Sequence, residues 1–144
     1  MAFLRPEDYT VQIRQWVTNI LTDGGDTILE RAEMSAQEEM ESYLNARYDV
    51  AKVFDPEQVE GDRNALVVMY MVDIAVYHMH SNITPSDIPE IRKDRYDNAM
   101  AWLKKVADGK ITPNLPQPEI PEGEEDPGSF EFQGGSNDKT SFRY

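Results

Sequence analysis

The 144-residue chain contains no cysteine, which removes disulfides, iron–sulfur clusters, thiolate metal sites and thiol nucleophiles and suits a reducing compartment. Histidine is scarce. His78 and His80 are the only two, and at i and i+2 on a helix they point to different faces, so they cannot chelate one ion as an i, i+4 pair would. Long apolar runs are missing as well. The most hydrophobic stretch, residues 65–79, includes Asp73 and falls short of the roughly 20 residues a bilayer span needs, so it reads as a buried helix with no membrane partner. Residues 1–8 carry neither the apolar core of a signal peptide nor the arginine-rich character of a transit peptide, so export by a standard signal is not expected. Positive charge is the other shortage: 14 bases face 27 acids for a net charge of −13, which opposes binding to a phosphate backbone.

Catalytic signatures are also wanting. There is no phosphate-cradling glycine loop and no Gly-x-Ser-x-Gly elbow. Asp23-Gly24-Gly25-Asp26 begins like a calcium loop, but Gly25 and Met34 occupy the third and twelfth positions, where ligands are required. The one constellation with chemical potential is Asp73, Tyr77 and His80 on a single helix, with Asp73 and His80 seven apart on one face. A metal wants three or four ligands and no second carboxylate motif accompanies these, so Asp73 reads as a core anchor hydrogen-bonded within the fold. No catalytic, cofactor-binding or metal-binding residue is assigned, and the expectation is a protein that is not an enzyme.

What is present is helical periodicity. Pro6-Glu7-Asp8 suits a first helical turn, and Tyr9, Ile13, Trp16, Val17, Ile20 and Leu21 recur at helical spacing, with a break near Thr10 allowed. Thr22 to Gly25 stops this helix. The second helix runs from about Thr27 to Ala46, with Leu29, Ala32, Ala36, Met40, Tyr43 and Leu44 as its buried stripe. Glu30, Glu33, Glu38, Glu39 and Glu41 fall mostly on its wet side. Residues 50–63 read as a polar connection and an exposed loop. The third helix, Asn64 to His80, is apolar nearly all round and is expected at the centre. A final helix starts between Ser86 and Pro89, buries Ile91, Tyr96, Ala99, Met100, Leu103, Val106 and Ala107, and stops at Gly109. Arg92, Lys93, Arg95, Lys104 and Lys105 on it read as a solvated face. The fold class is therefore all-α: an antiparallel bundle of about four helices over residues 1–112, followed by an extended C-terminal arm over residues 113–144.

The arm holds five of the nine prolines and four of the eight glycines, with seven acids against Lys139 and Arg143. Such a segment buries too little apolar surface to offset its ordering entropy. Even so it carries four aromatic residues, in Phe130-Glu131-Phe132 and Phe142-Arg143-Tyr144. In an extended strand each pair puts its rings on one side, suited to a neighbour's groove or sheet edge. Phe130, Phe132, Phe142, Arg143 and Tyr144 are the candidate partner-binding residues, with Pro113 to Pro127 as spacer and Gly134-Gly135-Ser136 separating the two pairs.

Four stretches of the helical body resemble a known family: Leu21 to Asp26, Ser42 to Tyr48, Asp73 to His80 and Arg95 to Lys110. They are similar to short helical proteins of Mu-like prophages and related tailed phages, the head-completion or head-tail connector (neck adaptor) proteins. The resemblance covers about residues 1–112; the turn after the first helix is often longer in that family, and nothing beyond Leu115 matches it. It implies a virion protein of the neck, assembled in the host cytoplasm as a homo-oligomeric ring of about a dozen copies. The implied ring bridges the portal protein to a downstream neck or tail protein, and DNA passes through its lumen without specific binding. A second class, suggested by the charge alone, is an acidic DNA mimic that inhibits a nucleic-acid-binding protein. A third is a small enzyme centred on Asp73, Tyr77 and His80.

Overall fold

Proline at the first helical position and two acids in the first turn start α1 (Pro6–Gln12). The computed structural model describes residues 3–14, 19, 26–83 and 85–119. Asp8 accepts the backbone N–H of Arg5 at 2.7 Å, tying down the start of α1, and extended backbone at Ile13 ends the helix. The expected continuation through Trp16, Val17, Ile20 and Leu21 lies outside the described residues, as does the turn Thr22 to Gly25. After it come α2 (Asp26–Leu44), α3 (Val50–Val53), a 3-10 turn (Glu60–Asp62), α4 (Ala65–Ile83) and α5 (Glu90–Ala107). Among the described residues there is no strand.

Helix α4 is central, as its all-round apolarity requires: Val67, Met71, Val72, Ile74, Ala75, Val76 and Met79 are all buried. It packs on α2 and α5 and is crossed by α1. Helix α2 meets it with Ala32, Ala36, Met40 and Leu44, spaced four apart on one face, while Leu29 and Tyr43 flank them half-buried. Helix α5 contributes Ala99, Trp102, Leu103 and Val106. Tyr70 lies against Trp102 and Tyr77 against Tyr96, so α4 and α5 run antiparallel. Ile28 and Ala32 border the same surface depression as Ser81 and Asn82, which makes α2 antiparallel to α4 as well.

Helix ends follow their local chemistry. Asn64 caps α4 by accepting the N–H groups of Leu66 and Val67 at 3.0 and 3.1 Å. Gly109, with φ of +79°, lets Lys110 N–H reach Lys105 O and Gly109 N–H reach Val106 O, closing α5. Ile91, expected in the buried stripe of this helix, is instead 57 % exposed, while Arg92 beside it is half-buried.

Three surface expectations are corrected. The connection 50–63 is an exposed loop only in part: Glu57 and Val59 to Asp62 are exposed, whereas Val50, Val53 and Phe54 share one face by their i, i+3, i+4 spacing and set α3 against the core. Val53 and Phe54 are buried there, as is Arg63. Glu33 and Glu39 do not lie on a wet face; they are half-buried and accept bonds from Tyr9 and Tyr96. The basic cluster on α5 is not uniformly solvated either. Arg95 binds Asp73, and Arg92 is half-buried with Nη1 shielded from solvent.

Residues 113–119, the first part of the arm, lie on the body. Leu115 is buried in the core, Pro116 O accepts the N–H of Asp49 at 2.9 Å, and Asn64 Nδ2 donates to Asn114 O. Lys52 and Glu119 pair at 3.1 Å, so the chain passes along α3 as far as Glu119.

Candidate functional site

The N-terminal residues are held by an ionic hub. Arg63 donates through Nη1 and Nη2 to the two carboxylate oxygens of Asp8, both at 2.8 Å, and through Nη1 to Phe3 O at 3.1 Å. Its guanidinium carbon sits 5.5 Å from the centroid of the Phe3 ring. Glu60 takes a second bond from Arg63 and another from Arg5. Burial disfavours the charged Asp8 carboxylate, yet the Arg63 fork, the Arg5 N–H and both guanidinium charges outweigh it, and Asp8 titrates below the usual carboxylate range.

That hub sets Phe3 edge-on to Phe54, with centroids 5.3 Å apart, as one wall of an open apolar groove of about 390 Å³. Phe3, Leu4, Phe54, Pro56 and Met71 form its floor and walls, and Met34, 64 % exposed, stands at its lip. The rim on the α2 side is polar, with Glu30, Glu33 and Gln37. Burial and the neighbouring charges of Glu30 and Asp8 raise the Glu33 carboxyl above its ordinary value, against the bond donated by Tyr9 Oη at 2.6 Å. The rim thus carries negative charge without a cation beside it among the described ion pairs. Phe3, Leu4, Phe54 and Met71 are each 5 % exposed or less, so beyond Met34 and Pro56 the depression presents little apolar surface.

A second polar cluster joins three helices. Glu39 of α2 lies 2.9 Å from His78 Nε2 of α4 and accepts Tyr96 Oη of α5 at 2.7 Å, while Tyr96 stacks on Tyr77 with centroids 4.2 Å apart. Burial, then the bond to Glu39 and its charge, raise the Tyr96 hydroxyl pKa, so the phenol stays a donor. With one acceptor bridging two helices, the arrangement orients the bundle.

The residues of the enzyme alternative are distributed as follows. Asp73 is 3 % exposed and receives Arg95 Nε at 2.7 Å, so it is hydrogen-bonded within the bundle as its burial demands. It borders a depression of about 490 Å³ shared with Tyr70, Asn98, Trp102 and Lys105. Tyr77 is turned toward Tyr96 and His78. His80 is buried, and burial together with the charge of Arg92 lowers its pKa. Among the described residues no group of three His, Asp or Glu side chains is placed to hold a metal ion. No described helix is long and apolar enough to cross a membrane.

Phe130, Phe132, Phe142, Arg143 and Tyr144 lie outside the described residues. The groove escaped the sequence reading. Its signal was present in the Val50, Val53, Phe54 spacing, but acids and a proline around it read as loop.

A family model described as Bacteriophage Mu, Gp36 matches residues 4–132, nearly the whole chain. The chain belongs to the Bacteriophage Mu Gp36 family. This makes it a phage protein and agrees with the resemblance carried by the α4 and α5 stretches. The Gp36 match runs past the helical body to Phe132, farther than the residues that carried the resemblance. It takes in Phe130 and Phe132 and leaves Phe142, Arg143 and Tyr144 beyond it. No curated protein and no solved structure matches the chain.

Proposed function

We propose that this phage protein is a structural, non-catalytic virion component: a head-tail connector (head-completion) subunit that forms a ring between the portal and the next neck or tail protein. The observation that carries the reading is a Gp36-family helical body from which an aromatic-bearing arm departs, already laid along α3 as far as Glu119. A ring subunit needs a compact wedge. An arm that crosses to a neighbour adds contact through effective concentration without enlarging that wedge. The net charge of −13 also suits a channel through which DNA passes without being held. In this reading the arm aromatics grip a sister subunit, the portal or a tail component.

The test is mass measurement of the full chain alone and with a purified portal of the same phage type, across a salt series. A defined ring, or a stoichiometric portal complex that persists at high salt, is the expected result. A chain that stays monomeric under all these conditions overturns the reading. Binding to a nucleic-acid-binding protein that collapses steeply as salt rises would favour the acidic DNA-mimic alternative.

A further inference from the structure

Two surfaces of the helical body are complementary in shape and in charge. On the outward face of α2, Met34 is 64 % exposed, and Glu30 and Glu38, both exposed, lie one turn to either side of it. Met34 is thus an apolar knob between two carboxylates. The second surface is the depression of about 490 Å³ between α4 and α5. Met69, Tyr70 and Ile111 on its walls are half-buried, so part of each is open to a visitor, and the small, exposed Ala101 leaves the mouth clear. Its charged lining is two cations to one anion. Asp73 is taken by Arg95 at 2.7 Å, whereas Lys105 is exposed and has no partner among the described ion pairs. In a chain with a net charge of −13, a lining that sums to positive is the exception.

Their placement suits contact between molecules. Met69 precedes His78 by nine positions, about two and a half helical turns, and therefore lies on the opposite side of α4. His78 faces Glu39 of α2, so the depression opens away from α2 and the knob of one subunit cannot reach its own depression. Copies with a net charge of −13 repel one another at long range, and pairing either surface with itself sets like charges together. Pairing one surface with the other removes that penalty locally. Such a contact is heterologous and repeats from subunit to subunit until it closes.

We propose that the depression between α4 and α5 receives the Met34 knob of a second copy of this chain, with the methionine against Tyr70 and Ile111 and a flanking glutamate at Lys105. A thioether adapts to an irregular site and packs favourably on an aromatic edge. Resting on the connector reading, this names the two faces that join neighbours in the ring.

The absence of native cysteine makes the test direct. Full-length Met34→Cys and Ala101→Cys variants are mixed, and their disulfide under mild oxidation is compared with the one each variant forms with itself. A further control mixes Met34→Cys with Ser86→Cys, another exposed site. The 34–101 disulfide is expected to form about tenfold faster or more than the others, and Lys105→Glu on the Ala101→Cys copy should slow it severalfold. Equal rates overturn the proposal. A faster 34–34 or 101–101 disulfide also overturns it, in favour of a two-fold contact. A ring or portal complex without the 34–101 cross-link sinks this contact and leaves the connector reading standing; the cross-link without a defined ring or portal complex does the reverse.

Discussion

Arg63 reaches across 55 positions to grip both carboxylate oxygens of Asp8 at 2.8 Å, and its side chain and that of Asp8 are only 2 % and 8 % exposed. This pair joins α1 to the start of α4 and builds the groove wall through Phe3. Removing one partner leaves the other charge buried without its counter-ion. Arg63→Met is therefore expected to cost about 3–5 kcal/mol, measured by urea denaturation, with a smaller loss in the Asp8→Leu, Arg63→Met double variant.

The same pair sets an acid limit. Asp8 has a folded-state pKa below 3.8, so its contribution is present above that value and is lost as pH falls through the folded-state pKa. In Asp8→Asn this part of the acid dependence disappears, which a denaturation series from pH 5 downward would detect.

His80 acts at higher pH. Its folded pKa is depressed below 6.5 by burial and by Arg92, so the unfolded chain takes up a proton first as pH falls. Stability is expected to decline from about pH 6.5 downward until the folded pKa is reached. His80→Gln should flatten that window in thermal melts; an unchanged slope would show that His80 is not the group responsible.

Gly109 closes α5 at φ +79°, where a side chain is strained, and a Cβ there would meet Arg47 Nη2 at 2.9 Å. Arg47 can move, because the contact is with the end of a flexible side chain, so backbone strain dominates. Gly109→Ala should cost about 1–2 kcal/mol in chemical denaturation, with native helical content retained.

Glu39 bridges α4 and α5 through His78 and Tyr96. Truncation to Ala leaves a half-buried phenol and imidazole without their acceptor, and a loss of about 1–3 kcal/mol is expected. If Tyr96→Phe in the Glu39→Ala background costs as much as it does alone, the two groups are not coupled.

Much of the helical body was legible because its signals are local. Ala32, Ala36, Met40 and Leu44 repeat at four, α4 is apolar on every face, and Gly109 is the residue a left-handed helix stop prefers. Family membership was legible for a related reason: turn and packing patterns in α4 and α5 carry it without a catalytic signature. What the sequence by itself determined, then, is the all-α class, the central helix, the acidic charge and an arm unsuited to regular helix. The tertiary structure alone decided which polar residues go inside. Arg63 is buried because Asp8 arrives from 55 positions away, and Glu39 is half-buried because two other helices bring donors to it. Burial of a charge depends on a partner distant in sequence, and no periodicity within one helix reports that partner.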